Sequence, residues 1–272
     1  VKTAVITTVH GRHTHLVRQL RGLTEGTQMP DVHIVVALGD PAVADAVAGH
    51  RSTVLHHPAS QPLPVAQGRN LGAAAALRKS AELLVFLDVD CIPGPDLIER
   101  YHTVAGQAAH RDALLCGPVT YLPPPGPDGY VLSELPIDPH PARPAPAPGT
   151  VIGTADYALF WSLSFAVRAE TWRRIGGFCE EYRGYGGEDT DFAQCAAAVE
   201  VPMRWVGGAD AFHQYHPVAD PPVGHLEDIV RNAGIFHRRW GWWPMEGWLT
   251  SFETAGLIYR EAGGRPVRTE IT

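Results

Sequence analysis

The 272-residue sequence predicts an α/β fold with a mostly parallel central sheet flanked by helices. Three observations carry this expectation. β-Branched and apolar segments alternate with amphipathic or alanine-rich ones through the first 120 residues, the rhythm of βαβ units. The run Leu-Leu-Val-Phe-Leu at 83–87 is apolar throughout, as a strand covered on both faces must be. It ends in Asp88-Val89-Asp90, and open sheets bind ligands at the carboxyl ends of their parallel strands.

Residues 2–8 read as the first strand, followed by a turn at Val9, His10, Gly11 and Arg12. Residues 12–23 set Leu16, Val17, Leu20 and Leu23 at the spacing of an amphipathic helix. Residues 32–38 are a second strand, stopped by Gly39-Asp40-Pro41. A helix over 41–48 takes proline in its first turn, and 52–56 is a third strand. An alanine-rich helix fills much of 62–80 and contains Gly68-Arg69-Asn70-Leu71-Gly72. Residues 83–87, 96–109 and 113–119 follow as strand, helix and strand.

The composition changes at Tyr121. Residues 121–150 hold PPPGP at 123–127 and PARPAPAPG at 141–149. Proline neither donates to a ladder nor continues a helix, so this is a long irregular loop of polyproline II character. A lid over the site and a mobile surface insertion are both consistent with it. Beyond it, 158–168 and 203–206 read as strands, and 170–175, 188–199 and 224–239 as helices. A last helix reaches about residue 261, past Trp240, Trp242, Trp243 and Trp248.

The totals exclude several classes. Hydrophobic residues are 45% and charged residues 19%, a globular balance. No apolar run approaches eighteen residues, so no transmembrane helix is expected. The first residues lack the parts of a signal peptide. A net charge of −7 argues against nucleic-acid binding. Cys91, Cys116, Cys179 and Cys195 are scattered, which suits free thiols in the cytoplasm and rules against cysteine-ligated zinc.

Two clusters carry chemistry. If the backbone stays extended, Asp88 and Asp90 share a face, and two adjacent carboxylates call for a cation. The second cluster is Glu188-Asp189-Thr190-Asp191, after Gly184-Tyr185-Gly186-Gly187. The macrodipole favours acids in a first helical turn, but three in four exceed what capping needs. The glycines let a substrate approach the backbone, and an ionised carboxylate there is available as a base. His213 and His216 are three apart, on opposite faces of a strand, so one at most is expected to ligate a metal. Imidazole with carboxylate suits manganese or a similar ion.

These motifs resemble those of the GT-A nucleotide-sugar glycosyltransferases, close to glycosyltransferase family 2, with a C-terminal half like the galactosyltransferases. The resemblance spans nearly the whole chain. It rests on Thr7-Thr8-Val9-His10-Gly11-Arg12, Gly68 to Gly72, Asp88-Val89-Asp90, Ile175-Gly176-Gly177-Phe178, and Gly184 through Asp191. It implies a GT-A fold with a donor half over 1–120, the proline-rich loop over 121–150, and a catalytic, acceptor-side half over 151–272. It implies donor contacts from Thr8, Val9, His10, Arg12, Asp40, Arg69, Asp88 and Val89. Asp90, with Asp88 and either His213 or His216, His213 preferred, would hold Mn2+ or Mg2+. Asp189 would be the catalytic base, Glu188 would bind acceptor or donor sugar, and Trp161, Tyr185 and Gly187 would line the acceptor side. The implied activity is inverting transfer of a galactose- or N-acetylgalactosamine-like hexose from a UDP-sugar to a glycan, lipid or small-molecule hydroxyl. Two motifs depart from the family: Gly39-Asp40 stands where family 2 often has Asp-Asp-Gly-Ser, and Tyr185-Gly186 where galactosyltransferases have Trp-Gly. A retaining transferase and a non-catalytic nucleotide- or carbohydrate-binding protein are the alternatives. A nucleotidyltransferase would need a glycine-rich basic phosphate loop, which residues 7–12 do not supply.

Overall fold

A computed structural model describes residues 1–127 and 129–269. Its parallel core forms where the sequence is most β-branched. Strands β1 (Thr3–Val9), β2 (Val32–Leu38), β3 (Ser52–His57) and β4 (Leu83–Leu87) lie side by side and parallel. Helices α1 (His13–Glu25), α2 (Val43–Ala46) and α3 (Val65–Arg78) connect them. Then come β5 (Cys91–Pro93), α4 (Leu97–Gly106), β6 (Leu114–Cys116), β7 (Val119–Tyr121), β8 (Val151–Thr154) and β9 (Ser164–Arg168). The chain continues through α5 (Ala169–Ile175), α6 (Glu188–Ala198), β10 (Met203–Val206) and β11 (Ala211–His213). It closes with α7 (Leu226–Trp240), α8 (Glu246–Thr254) and the hairpin β12 (Ile258–Arg260) and β13 (Pro266–Arg268).

The main sheet has the order β3-β2-β1-β4-β9-β6-β10-β8, and only β9 and β8 run against the rest. Both faces are covered. On one, Ala66, Ala73 and Ala76 of α3 pack on Ile6, Ile34 and Val36, and Trp172 and Phe192 pack on Phe86 and Phe165. On the other, Leu97, Ile98 and Tyr101 of α4 cover Val5, Val85 and Ala166. Small residues on α3 let it lie close to the sheet. A Cβ added at Gly72 would stand 2.5 Å from Cγ2 of Ile6.

Three differences from the sequence reading have local causes. The strand expected over 113–119 is broken into β6 and β7. Gly117 passes so near the Ala209 carbonyl that a Cβ would lie 2.1 Å from it. There the chain leaves the main sheet for a small second one, β5-β11-β7. The last helix ends at Thr254, because Gly256 takes a φ of +71° and opens the hairpin. The proline-rich segment is irregular, as expected, but it is pinned. Tyr130, Leu132 and Leu135 pack on Ile92 and Phe212, the His140 amide donates to Val119 O (3.0 Å), and Arg143 is buried.

Candidate active site

Asp88-Val89-Asp90 is not extended. The Cys91 amide donates to Asp88 O at 2.8 Å, closing a tight turn between β4 and β5. The two carboxylates therefore serve different neighbourhoods. Gln19, fully buried on α1, grips the turn by donating to Asp88 O (2.7 Å) and Cys91 O (3.0 Å) while accepting from Thr7 (2.8 Å).

Asp90 faces α1 and β11. His15 donates through Nδ1 to its Oδ1 at 2.6 Å, and Arg12 stands 3.6 Å away. Strand β11 pairs antiparallel with β5, setting His213 opposite Cys91, and the Gln214 amide donates to Asp90 O (2.7 Å). The strand stops at His213. The chain then turns, so His216 swings back and its Nε2 lies 3.6 Å from Asp90 Oδ2. Oxygen and nitrogen atoms of Asp90, His213 and His216 all fall within 4.8 Å of one another. The structure places these side chains differently from the sequence reading at two points. Both histidines join the group, because the strand-face argument holds only inside a strand. Asp88 lies outside it, because the turn directs its carboxylate elsewhere. The set of one carboxylate and two imidazoles fits a divalent transition ion. Burial holds the His213 ring down to about 4, so it is neutral and able to ligate at physiological pH.

Asp88 faces the other way. Its Oδ1 accepts from Arg69 Nη2 at 2.9 Å, and Arg69 Nη1 reaches Glu188 Oε1 at 3.3 Å. Arg69 is buried on α3, its guanidinium 5.1 Å from the Phe178 ring centroid. It thus ties the strand bearing Asp88 to the first turn of α6. Burial raises Asp88 despite the guanidinium. Burial also raises Glu188 to about 7, helped by the neighbouring Asp189, and Glu188 Oε2 has no partner among the described residues. Asp189 is raised by burial too, against the Thr190 amide, which donates to it at 2.7 Å. No cation pairs with Asp189 among the described residues.

Around these acids is a cavity of about 300 Å³. Trp161, Tyr185, Gly187 and Glu188 line it, with Arg69, Asp88 and Asp189. Trp248, from the tryptophan-rich tail, lines it as well, and so do Tyr121 and Met245, which no motif marked. They arrive from the proline-rich segment and from α8, which only folding brings to this cleft. His15 and Gln19 were equally unmarked, being single polar residues on an amphipathic helix.

The glycines of 184–187 all take positive φ, from +68° to +92°. Asn232, fully buried on α7, donates to the carbonyls of Arg183 (2.9 Å), Tyr185 (3.2 Å) and Gly186 (2.8 Å). The remaining acid, Asp191, is structural. It accepts from Arg239 Nε (2.6 Å), Trp240 Nε1 (2.7 Å) and Tyr182 (3.2 Å), locking α6 to α7.

The remaining anticipated donor residues lie at the carboxyl ends of β1 and β2. His10 donates to Leu38 O (2.7 Å), and Asp40 accepts from the Gly11 amide (2.7 Å) and His13 (2.8 Å). The Val9 side chain is in the core, and Val89, half-buried, packs against the same cluster. The Thr8 methyl faces Gly68, where an added Cβ would stand 3.0 Å from it.

A family model described as the N-terminal domain of galactosyltransferase matches residues 153–217, which include Glu188, Asp189, His213 and His216. A validoxylamine A glucosyltransferase of Streptomyces hygroscopicus subsp. jinggangensis is 31% identical over 240 residues, covering 76% of this chain and 55% of the relative. A second enzyme of that name, from Streptomyces hygroscopicus subsp. limoneus, is 29% identical over 76% of this chain and 51% of its own length. The chain thus spans about half the length of these curated relatives. Among solved structures, residues 1–349 of S. aureus TarS with UDP-GlcNAc superpose with a TM-score of 0.60 at 10% identity, covering 92% of this chain and 76% of that one. GalNAc-T7 with UDP, GalNAc and Mn2+ gives 0.56 at 15% identity, covering 79% and 44%.

Proposed function

We propose that this chain, a glycosyltransferase of the GT-A type, transfers a hexose from a UDP-sugar to an acceptor hydroxyl with inversion and a divalent metal. One observation carries the reading. A carboxylate–imidazole group (Asp90, His213, His216) lies at the turn that ends β4, and Arg69 ties Asp88 of that turn to Glu188, next to Asp189, with which no cation forms an ion pair among the described residues. The solved neighbours that bind UDP, UDP-GlcNAc and Mn2+ support the donor and the metal.

Asp90, His213 and His216 would hold the ion, Mn2+ or Mg2+, with His15 orienting Asp90. Bound there, it supplies Lewis-acid stabilisation of the leaving diphosphate. The turn at Gly11 and Asp40 would take the nucleoside, with His10 and Arg12 beside it. Arg69 holds Asp88 and Glu188 toward the donor sugar. Asp189 takes the proton of the acceptor hydroxyl as its oxygen attacks, help worth roughly 10²–10⁴ in rate. Trp161, Tyr185 and Trp248 stack on a ring-shaped acceptor, and Tyr121, at the head of the proline-rich segment, forms part of that wall. The donor half is then 1–120, and the acceptor half 151–272. The description of the matching family model supports a galactose-like donor, while glucose is the second reading, favoured by the name of the relatives. The four free cysteines suit a reducing cytoplasm. No helix among the described residues is long and apolar enough to cross a membrane.

The test is thermal stability against UDP, GDP and dTDP, with and without Mn2+, followed by hydrolysis of UDP-glucose, UDP-galactose and UDP-GalNAc. A metal-dependent shift with UDP and release of UDP from one donor are expected. Asp189→Asn should lose at least a hundredfold in transfer with UDP binding intact. No shift with any nucleotide would overturn the reading in favour of a non-catalytic binding protein. Unchanged transfer by Asp189→Asn would remove the base.

A further inference from the structure

The proline-rich segment contributes two buried or half-buried side chains, His140 and Arg143. His140 stands between two walls of the acceptor pocket. Its ring meets Tyr121 edge-on at 5.5 Å and 63°, and Trp161 edge-on at 5.2 Å and 70°. Behind Trp161, the Arg143 guanidinium lies 4.6 Å from that ring and 5.5 Å from Trp205. On the other side, Tyr121 stacks on His213 at 4.6 Å and 27°. The result is one continuous ladder, His213–Tyr121–His140–Trp161–Arg143–Trp205, running from the metal group across the acceptor wall into the core.

Two features show that the ladder is built rather than incidental. Arg143 is 6% exposed, and none of its three guanidinium nitrogens has a hydrogen-bond partner among the described residues. A buried cation without a carboxylate is costly. Here the faces of two indoles take the partner's place. His140 is fixed by its own backbone: its amide donates to Val119 O (3.0 Å), and its Nδ1 accepts from the Ala142 amide (3.2 Å). The Arg143 amide in turn donates to His140 O at 3.2 Å. That local turn sets the ring angle that both aromatic neighbours meet.

We propose that His140 is a positioning residue that holds Tyr121 and Trp161 apart at the width of the acceptor ring, with Arg143 clamping Trp161 from behind. The proposal rests on the acceptor-pocket reading above. It makes the proline-rich segment a fixed determinant of acceptor choice. Removing the spacer lets the two rings collapse or splay, so acceptor binding changes, while the metal group, which meets the ladder only where Tyr121 stacks on His213, keeps its ligands.

The test compares His140→Ala with His140→Phe, which keeps an aromatic spacer. The stabilisation by UDP with Mn2+ and the hydrolysis of donor by water should stay within twofold of wild type in both. With p-nitrophenyl β-D-glucoside as acceptor probe, His140→Ala should raise KM about tenfold with kcat within threefold, and His140→Phe should restore KM. An unchanged acceptor KM in His140→Ala, or an equal fall in hydrolysis and transfer, overturns the proposal. A thermal-stability double-mutant cycle of His140→Ala with Trp161→Leu reads the contact without any acceptor. Non-additive shifts support the spacer and additive ones overturn it, even if a wild type silent toward UDP and Mn2+ were to remove the glycosyltransferase reading itself.

Discussion

Glu188 offers a prediction that needs no substrate. Its carboxyl is buried beside Asp189, and burial, the larger cause, raises it from 4.5 to about 7 despite Arg69 at 3.3 Å. Below pH 4.5 both the folded and unfolded chains carry the proton. Between pH 4.5 and 7 the unfolded chain releases it while the folded chain keeps it, so stability falls as pH rises through that window. Each pH unit of separation is worth about 1.4 kcal/mol, so the full fall is about 3 kcal/mol. Glu188→Gln keeps the shape and removes the titration. It also removes the ion pair with Arg69, but that loss is a pH-independent offset once the group is ionised. Urea unfolding of wild type and variant at pH 5, 6, 7 and 8 measures the difference. The variant should gain on the wild type steadily up to about pH 7, by roughly 2–3 kcal/mol, and level off above it. Parallel curves within about 0.5 kcal/mol would refute the buried-carboxyl argument.

Other perturbations follow from single contacts. Asp191→Ala strips the buried acceptor shared by Arg239, Trp240 and Tyr182 and should cost about 2–3 kcal/mol in denaturant unfolding, with weakened docking of α7. Gly72→Ala drives a methyl to 2.5 Å from Ile6 Cγ2 and should cost about 1–3 kcal/mol, whereas Gly106→Ala, with nothing within 4 Å, should be neutral or stabilising. His216→Ala and Asp90→Asn should each abolish the Mn2+-dependent part of the UDP thermal shift. Asp88→Asn should leave much of it, since Asp88 lies outside the three-residue group, and equal losses in all three variants would overturn that partition.

Local pattern made much of this molecule legible in the sequence. Residues 32–38, 83–87 and 203–206 form strands with the anticipated bounds, because unbroken apolar runs between turn residues have few other solutions. The acidic turn after β4 and the glycine-acid start of α6 were visible for a similar reason: each is a local departure from what strand ends and helix caps require. Trp161, Tyr185, Gly187 and Glu188 do meet in one cavity.

Tertiary structure decided what each group faces. The sequence set Asp88 and Asp90 two residues apart. A backbone turn gripped by Gln19 sent one to Arg69 and the other to His15, His213 and His216. Periodicity describes a side chain's direction only while the backbone stays regular, and β11 ends at His213, so it does not fix the direction of His216, three residues beyond the strand. Asp191 looked like its acidic neighbours, but only the docking of α7 revealed that Arg239 and Trp240 hold it. Proline content correctly announced an irregular segment over 121–150, yet not that His140 and Arg143 would anchor it between aromatic rings. Propensity and periodicity are near-neighbour effects and survive in a string of letters. Pairings across 75 to 199 positions, such as His15 with Asp90 and with Gln214, exist only once the sheet has formed.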